Sequence, residues 1–341
     1  MKAMSCRISE ISPDSPDFHL FRKGPEGLYP PGSQQQINAE KIPADFLAGC
    51  FILTDQGKVV ARASLYDNPY LRLPGGGHAL TIGNYECVDH ENYAAGLLDF
   101  VTSAAKSRNS KYLIGPMNGS TWEAYRFPAD NTHPPFFLEP QQPLYYNRHF
   151  LKAGFRTIGS YYSSIAAPYT EVNQDIIARS QAFQEMSVTF RPIDLDRYID
   201  ELRRIHALSS VAFAGNFLFT PINEEAFLEK YAGMARLLHP ELTILAEDKD
   251  ANLIGFYFCI DDLLDKERKT LIFKTLARHP SPQWRGLGSV MGHMIYRKAI
   301  ALGYEAFIHA LIYDNGTSRK LSDDFGGKQF KTYVLYGKEI N

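Results

Sequence analysis

The sequence predicts an α/β (α+β) fold in two domains, and three observations lead there. At 341 residues, 45% of them hydrophobic, the chain is too long for one ordinary core and suits two domains of roughly 150 to 170 residues. Short apolar runs of strand length alternate with segments of helical period. The order of these elements in the first half recurs in the second, which suggests duplication of one unit.

Taken in order, a strand is expected over residues 4–11, then a loop in KGPEGLYPPGSQQQINAEKIP, where prolines and glycines break regular structure. CFILTDQGKVVARASLY reads as two strands joined by the turn DQG, and HALTIGNYECV as a third. In DHENYAAGLLDFVTSAAKSRNS, the apolar Ala94, Leu97, Leu98, Val101 and Ala105 recur at helical spacing. KYLIGPM is a short buried strand, and LYYNRHFLKAGFRTIGSYYSSIA reads as helix, glycine stop and strand. The first domain is then 1–168, a polar linker 169–186, and the second domain 187–341.

In the second domain SVTFRPIDL predicts a strand and DRYIDELRRIHALSSVAF a helix. A further helix in NEEAFLEKYAGMARLL starts at the cap residue Asn223, with Glu224 and Glu225 favourable to its dipole. LTILAED, LIGFYFCI and TLIFKTLA supply three strands. Leu287, Met291, Met294, Ile295, Ala299 and Leu302 then form one helical stripe that Gly303 stops. EAFIHALIY is the next strand and FKTYVLYG the last. Aligning LKAGFRTIGSYY with DDFGGKQFKTYVLY sets Gly154 over Gly326.

Composition narrows the partners. A formal net charge of -2 without blocks of like charge argues against a nucleic-acid partner. Cys6, Cys50, Cys87 and Cys259 lie far apart with no metal-ligand spacing, so no metal and no disulfide framework is expected. The N-terminus lacks an apolar signal core and no segment has bilayer length, so a soluble cytoplasmic protein with no membrane partner is expected.

The stretch HPSPQWRGLGSV bears on function. Amides at a helix start carry partial positive charge without intrahelical acceptors, so a glycine turn opening a helix can cradle phosphate. There is no GxxxxGK[ST], and Met291 stands where GxGxxG needs its third glycine, so the nucleotide P-loop and dinucleotide readings fail. What remains is Gln-x-x-Gly-x-Gly at 283–288, after an apolar strand and opening a helix.

On that motif, with EAFIHALIY after it and Asn315 beyond, the second half resembles the GCN5-related N-acetyltransferase (GNAT) superfamily, and the first half looks like a degenerate copy. The GPM turn followed by PPFFLEPQQPLYYN also resembles a bacterial set of two-domain GNAT-like proteins. The resemblance implies two domains, each a mixed, mostly antiparallel twisted sheet flanked by helices. It implies acetyl-CoA as acyl donor, its pyrophosphate on Gln283, Arg285, Gly286, Leu287, Gly288 and Ser289, and its pantetheine beside Leu276, Ala277, Arg278 and Asn315. The first half reads CVDHENYAAGLL at the matching place, where Asp89 and Glu91 would repel a pyrophosphate. One CoA site, in the second half, is expected.

Acetyl transfer to an amine by direct attack needs a proton for the leaving thiolate. The family often uses a tyrosine seven residues after the asparagine, and Ser322 stands there. His309, with Phe307, Leu311 and Tyr313 on one strand face, is the first substitute, although such a histidine is more often structural. Tyr336 is the second, Tyr333 facing the other way, while Asn315 completes the catalytic set. Glu247 and Asp261 are possible bases through water, or simply turn carboxylates.

The acceptor, a small-molecule or peptide amine, is expected between IGPMNGSTWEAYRF, through Asn118 and Trp122, and SSVAFAGNFLFTPINEEAF, through Asn216 and Phe217. Trp122 reads equally well as a plug between domains. A monomer or homodimer is expected. Two other readings stay open: a non-catalytic acyl-CoA-binding or sensing protein, and a Fem-type aminoacyl transferase, against which the retained glycine loop and the lack of basic excess argue.

Overall fold

The computed structural model describes residues 6–73, 76–171, 173–314, 316 and 318–340. In the first half these form β1 (Arg7–Glu10), α1 (Phe18–Lys23), α2 (Gln34–Ala39), β2 (Leu47–Asp55), β3 (Lys58–Tyr66), β4 (Ala79–Cys87), α3 (Glu91–Lys106), β5 (Tyr112–Gly115), β6 (Phe127–Pro128), α4 (Tyr145–Lys152) and β7 (Arg156–Ala166). The second half adds α5 (Gln174–Glu185), β8 (Thr189–Pro192), α6 (Tyr198–Ala212), α7 (Glu224–Ala232), β9 (Ile244–Glu247), β10 (Leu253–Asp261) and β11 (Thr270–Arg278). It ends with α8 (Leu287–Ala301), β12 (Ala306–Tyr313), α9 (Ser318–Asp324) and β13 (Lys328–Glu339).

All the strands belong to one sheet, ordered β1-β2-β3-β4-β5-β13-β7-β12-β11-β10-β9-β8, with β6 on the side of β13. Neighbours are antiparallel except β4 with β5 and β11 with β12, which hold the same place in each half. This repeats the element order expected from duplication. Gly154 and Gly326, aligned in sequence, both take left-handed φ, 84° and 71°, just before β7 and β13.

The halves exchange their last strands. β13 pairs with β5 of the first half through Tyr336↔Gly115, and β7 pairs with β12 of the second through Phe307↔Ala166. Tyr336 and Ile340 therefore lie in the first half's core with Leu97, Phe127 and Phe150, while Ala166 joins the second half's core with Met291 and Phe307. The two exchanged strands run antiparallel to each other through the middle of the sheet.

The helical stripes bury as expected. Ala94, Leu97, Leu98, Val101 and Ala105 are all buried on α3, and Leu287, Met291, Ile295 and Ala299 on α8. Met294 departs from its stripe and is exposed, its place taken by Val290 and Tyr296. α6 and α7 cover the opposite face of the second half through Leu202, Ile205, Leu208 and Phe227.

Two segments differ from expectation. The stretch 169–186, expected as a linker, contains α5, capped by Asn173 and packed on α8 through Ile176 and Phe183, the latter beside Trp284. The Pro/Gly-rich stretch contains α2, whose cap Ser33 accepts from the Gln36 amide. Arg62 explains its order: buried on β3, it donates to Phe21 O and Arg22 O at 2.5 and 2.6 Å and to Ala39 O at 2.5 Å. One guanidinium thus satisfies the last carbonyls of both α1 and α2.

Candidate active site

The site lies where β11 and β12 part. They pair in parallel as far as Phe273↔His309 and diverge beyond it. On its other side β11 meets β10 at Cys259↔Phe273 and then Phe258↔Thr275, so Lys274 is an extra, bulged residue. A bulge re-aims a side chain and ends regular pairing. The first half carries the same irregularity on β4, at Asn84 and Tyr85, with Asn84 at φ 45° and its amide held by Asn118 Oδ1 at 2.9 Å. Between these points lies a cavity of about 780 Å³ lined by both halves.

His309 lines this cavity, but both ring nitrogens are engaged: Nε2 lies 2.8 Å from the Tyr296 hydroxyl and Nδ1 2.8 Å from Ser322 Oγ. Burial lowers its imidazole to about 4, so it is neutral at physiological pH. It therefore fits a structural histidine better than an acid. Ser322 reaches the same cavity from α9.

Tyr336 is displaced from the proposed chemistry. The strand exchange turns it into the first half's core, where its hydroxyl donates to Asn147 Oδ1 at 2.9 Å. Tyr333 is buried too, donating to Glu139 Oε1 at 2.8 Å. Burial alone would raise the Glu247 carboxyl, but hydrogen bonds from Arg191 and Arg204 hold it below its ordinary value. Asp261 accepts from the Tyr304 hydroxyl. Neither carboxylate lines the cavity. Asn315 lies outside the described residues.

At the glycine turn, Gly286 takes φ 93° and opens α8 with no side-chain cap. The Leu287 and Gly288 amides have no acceptor in the described chain, whereas those of Ser289 and Val290 bond Gly286 O. A Cβ on Gly288 would stand 2.9 Å from Leu276 Cδ2, so the helix start and β11 approach closely. Gln283 and Arg285 are exposed and Ser289 is half-buried, while Leu287 is fully in the core.

Leu276 lines the cavity, but Ala277 turns to the opposite face against Phe256, which removes its side chain from the groove. Arg278 is spent on the turn itself, donating to His279 O and Ser281 O. A cation the sequence did not single out arrives from α5: Arg179 donates to Arg285 O at 3.3 Å and packs against Gly286.

The expected acceptor residues do converge. Asn118, Trp122, Asn216 and Phe217 all line the cavity. Asn118 is occupied with the β4 bulge. Trp122 donates Nε1–H to Thr220 O at 2.8 Å and packs edge-on to Phe219 and Phe227, which is the plug role. Phe217 stacks on Tyr313 with ring centroids 5.6 Å apart. Lys274 is the functional candidate missed in sequence, and its signal was a lone lysine inside the apolar run TLIFKTLA.

Among the described residues no group of His, Cys, Asp or Glu is arranged to hold a metal ion, and no helix is long and apolar enough to cross a membrane. No protein-family model and no curated protein sequence matches the chain. Solved structures do. A tandem GNAT protein from the clavulanic acid biosynthesis pathway is 11% identical with a TM-score of 0.53, over 98% of this chain and 99% of that one. A GCN5-related N-acetyltransferase from Sphaerobacter thermophilus is 14% identical with a TM-score of 0.51, over 98% and 96%. A GCN5-related glucosamine N-acetyltransferase region of a fungal multi-domain GH3 β-N-acetylglucosaminidase is 14% identical with a TM-score of 0.56, over 98% of this chain. The chain spans 38% of that fungal protein's length. At such identities the likeness establishes the fold.

Proposed function

We propose that this chain, which has the tandem fold of the GCN5-related N-acetyltransferases, is an N-acyltransferase moving acetyl from acetyl-CoA to an amine by direct attack, with CoA held on the second half. The reading rests most on one coincidence. Among the described residues, only the second half sets its parting strands, β11 and β12, beside an uncapped helix start behind a left-handed glycine. In the first half the start of α3 is capped by His90 and carries Asp89 and Glu91, which pair with Arg148 and Lys152 of α4.

Acetyl-CoA would supply the activated acyl group. The free amides of Leu287 and Gly288, with Arg179 and Arg285, suit its pyrophosphate, and Leu276 and Leu321 border the groove toward the cavity. His309, neutral and hydrogen-bonded at both ring nitrogens, fixes Ser322 Oγ at the cavity wall, which suits it as a proton donor to the leaving thiolate. His309 is then a positioning residue, and the attacking amine's own proton can reach the thiolate through the Ser322 hydroxyl.

The test is titration of acetyl-CoA into the folded protein, by calorimetry and thermal shift, followed by CoA release over an amine panel. Absence of any stabilisation by CoA species sinks the proposal. Binding without release under any amine favours the second reading, a non-catalytic acyl-CoA-binding protein, which the burial of Tyr333 and Tyr336 away from the cavity supports.

A further inference from the structure

Two cations bordering the cavity beside the parting strands, Lys274 and Arg126, have no ion-pair partner among the described residues. Lys274 stands on the β11 bulge at the point where the strands part, and its amine has no hydrogen-bond or ion-pair partner among the described residues. Arg126 comes from the other half, on a residue at φ 71°, and is 8% exposed. Its guanidinium lies over the rings of Tyr125 and Tyr161, 3.9 and 4.2 Å from their centroids. One nitrogen, Nη1, donates to Leu311 O at 3.3 Å, and the others meet no acceptor among the described residues.

Among the described residues no carboxylate lies within 4.0 Å of either cation, and the acids that border the cavity are committed elsewhere. Glu139 takes Tyr333 and Lys331, Glu123 takes Lys230, and Glu86 takes Tyr29 and Tyr146. Burial, then the charge of Arg126, lowers the Lys274 amine to about 8, so the two cations sense each other while the lysine stays largely protonated at neutral pH. Two desolvated like charges without a counter-ion are costly, and an anion between them relieves both costs. The planar guanidinium suits a carboxylate's two oxygens, and the ammonium serves as a point charge beside it.

We infer that Lys274 and Arg126 form an anion subsite that takes the carboxylate of a reactant at the point of acyl transfer. The inference rests on the acyltransferase reading for its placement, although the binding itself does not depend on CoA. The carboxylate can belong to the acceptor, as in an amino acid, or to the far end of a dicarboxylic acyl group. Polycationic amines are poor acceptors here, because their remaining charges would face Lys274 and Arg126.

The test uses full-length protein and two matched arms, read by calorimetry. In the acceptor arm, N-acetyl amino acids are compared with their uncharged amides, without CoA. In the acyl arm, succinyl-CoA is compared with valeryl-CoA. The expected result is a preference of tenfold or more for the carboxylate in one arm, which also identifies the source, and its collapse in Lys274→Met and Arg126→Met. Lys274→Gln replaces Lys274→Met if the latter loses its native melt. No preference in either arm, or a preference that survives both substitutions, overturns the subsite. Failure of acetyl-CoA to bind wild type would refute the acyltransferase reading separately, since the first arm contains no CoA.

Discussion

The Tyr336 hydroxyl donates to Asn147 Oδ1 at 2.9 Å, which fastens the last strand of the chain to a helix of its first half. Neither half's sheet is complete without a strand from the other. The two tryptophans, Trp122 and Trp284, fall one in each half and make the coupling measurable. In urea, Trp122→Phe and Trp284→Phe should each show a single fluorescence transition, with coincident midpoints once corrected for each variant's own stability. Two separated transitions would refute the coupling.

His309 predicts an acid-sensitive fold. Burial lowers its imidazole to about 4, below the value of the unfolded chain, so on acidification the unfolded chain takes the proton first. Stability is held above pH ~6.5 and drained below it, by about 3 kcal/mol on reaching pH 4 from this group alone. Chemical denaturation at half-unit pH steps should give a shallower loss in His309→Gln than in wild type. Equal slopes would remove His309 from the account.

Gly286 predicts a split between stability and binding. Any side chain there meets a left-handed φ of 93° and the Arg179 side chain, at a cost of about 1 to 2 kcal/mol. Gly286→Ala should melt slightly lower and bind acetyl-CoA at least tenfold more weakly, read by calorimetry. Unchanged affinity would move the pyrophosphate elsewhere.

Arg62 predicts a local release. Arg62→Met deprives three helix-end carbonyls, one buried and two partly buried, of their donor and should cost about 2 to 4 kcal/mol. Limited proteolysis should then cut between residues 24 and 45 well before other sites. A wild-type digestion pattern would contradict the anchoring role.

Much of this was legible because periodicity reports burial directly: α3 and most of α8 follow their apolar stripes residue by residue. The two glycines that end helices before the last strands were legible too, because a left-handed residue there favours glycine. The strand exchange was not, since β7 and β13 are recognisable as strands while their partners are chosen by pairing that no single segment encodes. Tyr336 was misplaced for that reason. Lys274 escaped because a bulge exists only in the register between two strands. α5 escaped because Ile176 and Phe183 are two buried positions in an otherwise polar stretch.

The exchanged strands also bear on how the two copies could diverge after duplication. A half that no longer carries the glycine turn would ordinarily be free to decay, yet here it supplies β7, the strand that covers β12 beside the cavity. Deleting it would leave β12 with an open edge beside the cavity. A first half without the glycine turn is therefore still held in place by its partner, because the second half's sheet is built on a strand that only the first half supplies.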